Sequence, residues 1–344
     1  MQNSSVSAGQ PNSIANPVSA HGGRGGVVAC LDRSRQSHHV AQHALAIASA
    51  LGVPVTLLQV LEAGPAGDVR ADPLEWEIRR REARASLEPL AAILCDDTCS
   101  VDSVIVEGHA ADQICLWSTD RSPELVVLGV HGEGGQNDDG LGSTARCVLD
   151  RSTGSVLLVP EADNPSAKMG AVRYRRLLVP VDGSSRAESV LPLAIRLAEA
   201  TGADLLIAYV IAVPELIESG PLEPDDIELR ERVVHRNERV AMEYLARLRG
   251  YVALSGLAAR TMVLRDGDVR SRLGRLIAEE NVDMVVLSTH GHSGRRDVPY
   301  GSVTAHLIAH SAVPLLIVRN PPALAAQRGM NANLAGAQLA NLYA

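Results

Sequence analysis

A chain of 344 residues with 46% apolar and 21% charged side chains has the length for two domains and the balance of a water-facing globular protein. Its formal net charge of −8 argues against nucleic acid as a main partner, because phosphate backbones select basic faces. No apolar run is long enough to span a bilayer and the polar N-terminus does not read as an export signal; with five cysteines and no Cys-x-x-Cys pair, a cytoplasmic protein without a membrane partner is expected.

Residues 1–25 are rich in Ser, Asn, Gly and Pro without apolar periodicity, which predicts a disordered tail. A continuous apolar strand over 27–31 ends at Asp32. A helix over 37–51 follows, stopped by Gly52. The pattern then gives a strand over 53–61, a long charged helix over 73–94, a strand over 101–106, a helix over 108–118 and a strand over 125–129. A glycine-bearing loop leads into a helix from Ser143, and a strand over 155–159 closes the first half. Residues 161–173 hold Pro165 and Gly170 among polar residues and read as a linker.

The order then repeats. A strand over 177–181 ends at Asp182, a helix over 187–200 is stopped by Gly202, and a strand over 204–211 follows. Next come a long charged helix over 224–248, a strand over 258–264, a helix over 269–280, a strand over 283–287, a loop, a helix over 303–310 and a strand over 313–318. The rest, 320–344, reads as a C-terminal tail. Domains over 26–160 and 174–319 result. Continuously apolar strands separated by helices indicate parallel sheets covered on both faces, so the expected class is α/β with two tandem open parallel-sheet domains. The core must be aliphatic, since the chain has no phenylalanine and two tryptophans.

The two loops match in detail. Gly129, Gly132, Gly142 and Ser143 in the first answer to Ser288, Gly291, Gly301 and Ser302 in the second, each pair 159 apart (291 − 132, 301 − 142, 302 − 143). Each loop joins a buried strand to a helix N-terminus, where free backbone N–H groups and the positive end of the macrodipole favour an anion, and glycine permits close approach. Both therefore read as phosphate-binding turns. The first strands lead to Asp-Arg-Ser and Asp-Gly-Ser rather than Gly-x-Gly-x-x-Gly, and no Gly-Lys-Ser/Thr occurs, which excludes the dinucleotide and Walker fingerprints.

This arrangement resembles the universal stress protein family, whose ATP-binding members carry Gly-x2-Gly-x9-Gly-Ser/Thr after the fourth strand and an Asp after the first. The run Val179-Pro180-Val181-Asp182-Gly183-Ser184 adds to the likeness, and Ser288 departs from it. The resemblance implies an adenine nucleotide alpha-hydrolase-like (Rossmann-like) fold. It implies that Val181, Asp182 and Val210 meet the adenine and ribose, that Ser288, His290 and Gly291 approach ribose and phosphates, and that Gly301, Ser302 and Val303 hold phosphate oxygens. The matching positions of the first half are Asp32, Val60, Gly129, His131, Gly132, Gly142, Ser143 and Thr144. It also suggests that the last strands of the two halves join, making an intramolecular pseudo-dimer, with a homodimer as the further assembly.

The two loop inserts differ in charge. The first holds Glu133, Asp138 and Asp139; the second holds Arg295, Arg296 and Asp297. Arginines pair with phosphate oxygens while acids repel them, so the second half is expected to bind ATP better, unless Mg2+ bridges Asp138 or Asp139 to the phosphates. His39 with His43, and His306 with His310, stand one helical turn apart without an evident third ligand; they are read as solvated faces, not zinc sites. No catalytic residue is assigned. An ATP-binding stress-response regulator acting on an unknown protein partner is the leading expectation; a weak ATPase or phosphotransferase, and a nucleotide-free dimerisation scaffold, are the alternatives.

Overall fold

The computed structural model describes residues 25–62, 72–95, 99–132, 140–161, 172–212, 224–265, 267–291 and 300–319. The expected tails, most of the linker, and the inserts holding Glu133, Asp138, Asp139, Arg295, Arg296 and Asp297 lie outside those residues.

The first half runs β1 (Val27–Leu31), α1 (Ser37–Leu51), β2 (Val55–Leu61), α2 (Pro73–Leu94), β3 (Val101–Glu107), α3 (Ala110–Arg121), β4 (Leu125–Gly129), α4 (Ser143–Arg151) and β5 (Ser155–Val159). The second runs β6 (Arg176–Val181), α5 (Ser185–Glu188), α6 (Leu191–Thr201), β7 (Asp204–Val210), α7 (Pro224–Ala253), β8 (Ala259–Leu264), α8 (Val269–Glu279), β9 (Met284–Ser288), α9 (Ser302–His310) and β10 (Leu315–Val318). Gly52 and Gly202, 150 residues apart, end α1 and α6 in the same left-handed conformation at φ 68°, which a Cβ would disfavour.

The helix expected over 187–200 is split into α5 and α6. Pro192 stands in the first turn of α6 and has no N–H to bond back to Glu188, so the ladder breaks and a new helix starts.

The strands form a ten-stranded sheet in the order β3-β2-β1-β4-β5-β10-β9-β6-β7-β8. Pairing is parallel within each half, and β5 meets β10 antiparallel, with Leu158 opposite Leu315 and Val156 opposite Ile317. The two open sheets are thus joined through their last strands, both buried at every position. Two aliphatic layers cover the faces. Odd positions of β1, Val27, Ala29 and Leu31, pack with α1, α2, α6 and α7; Val28 packs on the other face with α3, α4, α8 and α9.

Chain order reverses between β1 and β4, and again between β6 and β9, which are the switch points where parallel sheets open a crevice at their C-terminal rim. Asp32 and the first glycine loop flank one such point; Asp182 and the second loop flank the other.

The halves are also tied outside the sheet. Arg319, just past β10, donates from Nη1 to Ser152 O at 2.6 Å and from Nη2 to Leu149 O, satisfying carbonyls at the C-terminus of α4. Arg319→Ala is expected to lower stability by about 2 kcal/mol, read as a lower urea midpoint at unchanged slope.

Candidate nucleotide site

Asp32 is fixed by the turn that follows β1. Its Oδ1 accepts from Ser34 N at 2.9 Å, Ser34 Oγ at 2.5 Å and Ser37 Oγ at 2.8 Å. Ser37 also bonds Asp32 O, at 2.7 Å. Asp182 repeats the motif, accepting from Ser184 N at 3.0 Å and Ser184 Oγ at 2.6 Å. With Oδ1 committed to the turn, Oδ2 lies against the loop. A Cβ on Gly132 would stand 2.8 Å from Asp32 Oδ2, and one on Gly291 would stand 2.2 Å from Asp182 Oδ2. Glycine at these positions is therefore a steric demand made by the aspartate.

The loops close alike. Gly142 N donates to Val130 O at 2.8 Å, and Gly301 N donates to Thr289 O at 2.8 Å. Each glycine is the N-cap of its helix, α4 or α9, and supplies no side-chain cap. Asp72, Ser184 and Asp268 cap α2, α5 and α8 with side chains, whereas α1, α3 and α6, like α4 and α9, have no side-chain cap. At α4 and α9 the glycine leaves the first-turn amides uncovered by any capping side chain.

Ser288 replaces the glycine of Gly129. A Cβ on Gly129 would lie 2.9 Å from His131 O; Ser288 carries that atom and its Oγ donates to the equivalent carbonyl, His290 O, at 2.7 Å. Ser288 is not among the positive-φ residues, so the backbone does not need glycine there. Thr304 Oγ1 donates to Ser288 O at 3.1 Å and ties the strand end to α9. His290 Nδ1 lies 3.2 Å from Thr289 Oγ1.

In the first half, Asp32, Val60, Gly129, His131, Gly132, Gly142, Ser143 and Thr144 all line one cavity of about 660 Å³. That volume falls within the range of small-molecule sites, roughly 300–1,000 Å³. His131 is nearly buried; among the described residues neither ring nitrogen has a hydrogen-bond partner, and Glu161 Oε1 lies 3.4 Å from Nδ1. In the second half the structure brings Asp182, His290, Gly291 and Gly301 together. Val181 ends β6, Val210 ends β7, and Ser302 and Val303 open α9.

Several wall residues escaped the sequence reading. Arg33 comes from the turn after β1, and Arg79 from α2. Arg33 pairs with Glu82 at 3.5 Å, and Arg79 with Glu75 at 2.6 Å. Both arginines are engaged by glutamates, and with Asp32 and Glu62 on the same wall the cavity carries charges of both signs from outside the glycine loop. Gln59 was missed too, although a glutamine inside the apolar run of β2 was a visible signal. Next to this cavity, and sharing Asp32 and Gln59 with it, a second cleft of about 590 Å³ runs between α1 and α2.

The solvated reading of His43 is corrected. It is buried, with Nδ1 2.6 Å from Tyr174 Oη and Nε2 3.2 Å from His39 Nε2. Burial, then the neighbouring His39, pull its pKa down to about 3. His310 keeps to the exposed reading: its ring stacks on His306 with centroids 4.3 Å apart.

Comparison with known proteins agrees with this fold. The profile of the Universal stress protein family matches residues 25–160 and 173–319. A universal stress protein of Mycolicibacterium smegmatis is 25% identical over 316 residues, covering 86% of this chain and 97% of that protein. One from Mycobacterium tuberculosis is 25% identical over 307 residues, with the same shares covered. The crystal structure of a universal stress protein from Archaeoglobus fulgidus superposes with a TM-score of 0.60 at 16% identity, covering 88% of this chain and 98% of that one.

Proposed function

The chain belongs to the universal stress protein family, and from that membership and its site geometry we propose that it is an ATP-binding regulatory protein with a nucleotide site in each half. One observation carries the reading: eight positions that match the family's nucleotide-binding positions, six in the glycine loop with Asp32 after β1 and Val60 in β2, line a single cavity at a switch point of the sheet.

In this reading Asp32 and Val60 face the base and ribose. Gly129, His131 and Gly132 approach the ribose and phosphates. The amides of Ser143 and Thr144, which open α4, hold phosphate oxygens with help from the two hydroxyls, while Gly142, whose own N–H closes the loop on Val130 O, leaves room for the phosphate to approach. The second half does the same with Val181, Asp182 and Val210, then Ser288, His290 and Gly291, then Gly301, Ser302 and Val303. Mg2+ enters with the nucleotide; the carboxylates the sequence offered it, Asp138 and Asp139, lie outside the described residues. A change of surface on binding is what a regulatory partner protein would read.

Equilibrium dialysis of the whole chain with ATP and Mg2+ tests this. Wild type should retain ATP at millimolar concentrations, and the double variant Gly142→Val, Gly291→Val should lose it. The Gly142 Cβ would enter a space only 3.2 Å from Val130 O, so valine must reshape the loop closure. Absence of binding by wild type overturns the proposal.

A further inference from the structure

Gln59 stands on the floor shared by the two clefts of the first half. It is 5% exposed, on a strand whose neighbouring side chains on the same face, Leu57 and Leu61, are apolar and buried. Among the described residues no hydrogen bond joins its amide to the protein, and it is not among the residues holding further contacts. Its polar atoms are not sealed inside the protein either, since the buried orphan atoms do not include them. Water in the cleft bonds such an amide, and a ligand that displaces the water must supply partners in its place or leave a group whose loss costs about 1–3 kcal/mol.

Its position suits a base. β4, β1 and β2 are neighbours, and at about 4.8 Å per strand Gln59 lies roughly 10 Å across the rim from the strand end at Gly129. A ribose bridges that separation between a phosphate and a base. A glutamine amide presents a donor and an acceptor side by side, the complement of adenine N6–H and N7. Guanine presents two acceptors, O6 and N7, on the same edge, so one of the two contacts becomes a repulsion.

The second half differs at this point. Leu31 pairs with Gln59 in the first half, and Val181 pairs with Tyr209 in the second. Tyr209 packs edge-on against Tyr244, with centroids 5.9 Å apart. A phenol cannot offer the paired donor and acceptor.

We propose that Gln59 reads the base edge and makes the first-half site selective for adenine over guanine nucleotides, while the second half lacks this reader. The inference rests on the nucleotide reading above.

The experiment titrates the full chain carrying Gly291→Val, whose clash with Asp182 disables the second half, with ATP and separately with GTP, with Mg2+ present. The parent should prefer ATP. Gln59→Leu should reduce the ATP-to-GTP affinity ratio by about tenfold. Gln59→Glu, of the same shape but acceptor-only, should reduce it as well, and serves if the leucine variant does not fold, as judged by its thermal transition. An unchanged ratio in a folded variant that still binds ATP overturns the role of Gln59 and leaves the nucleotide site standing. A parent that binds neither nucleotide overturns the site itself, and Gln59 with it.

Discussion

Gly291→Val should weaken ATP binding in the second half by about a hundredfold while the first half binds as before. The Cβ alone would lie 2.2 Å from Asp182 Oδ2. The aspartate has little room to yield, because Oδ1 is held by the amide and hydroxyl of Ser184. Either the loop moves away from the end of β6 or the turn after it is broken. Overpacking costs about 1–3 kcal/mol, and losing a hydrogen bond to a charged group adds about 1.5–3 kcal/mol. A total near 3 kcal/mol corresponds to about a hundredfold in affinity. Titration with ATP in a background lacking the first site reads the effect. Gly291→Ala should give a smaller loss in the same direction, because the clash begins at Cβ. Equal affinity in wild type and Gly291→Val would separate the aspartate–glycine contact from binding.

The second large effect is on acid stability. His43 is neutral in the fold, with a pKa near 3, against an unfolded value of about 6.5. Desolvation is the leading cause, so the fold disfavours the charged ring. Between these values the unfolded chain binds more protons than the folded one. Stability is therefore complete above about pH 6.5 and falls as pH drops towards 3, at up to about 1.4 kcal/mol per pH unit. His39, also depressed by burial, acts in the same direction. The bond at stake joins α1 to Tyr174, just ahead of β6, so the loss falls on the contact between halves. Urea midpoints of wild type and His43→Gln at pH 7.5, 6 and 5 isolate the effect. The wild-type midpoint should fall more steeply with acid, and parallel curves would assign the acid sensitivity elsewhere.

The central strands were legible because both of their faces are buried, so that Leu125–Gly129 or Met284–Ser288 reads as an unbroken apolar run, while the edge strands β3 and β8 are half-buried and mix in polar residues. The loops were legible because glycine spacing repeats at a fixed offset. The rotation of helices was harder to read. Arg79 belongs to a charged helix on which many residues are exposed, and only the fold shows that its turn faces the cavity. His43 is different: it sits three residues after Val40 and one before Ala44, on the buried stripe of α1, so the periodicity that located the helix also marked His43 as inside. The solvated reading followed the polar type of His38, His39 and His43 rather than that stripe. The break at Pro192 could also have been read, since proline needs the first turn of a helix and the expected helix placed it later. The joining of β5 to β10 follows from two last strands that are apolar on both faces, an arrangement that an open edge would not tolerate.

The central claim is that each half holds one adenine nucleotide at its glycine loop. Its most direct measurement is the number of ATP molecules bound per chain, by calorimetric titration of wild type, Gly142→Val, Gly291→Val and the double variant. Two for wild type, one for each single variant and none for the double variant is the expected outcome. A folded wild-type chain that binds no ATP, or four proteins that bind it equally, would contradict it.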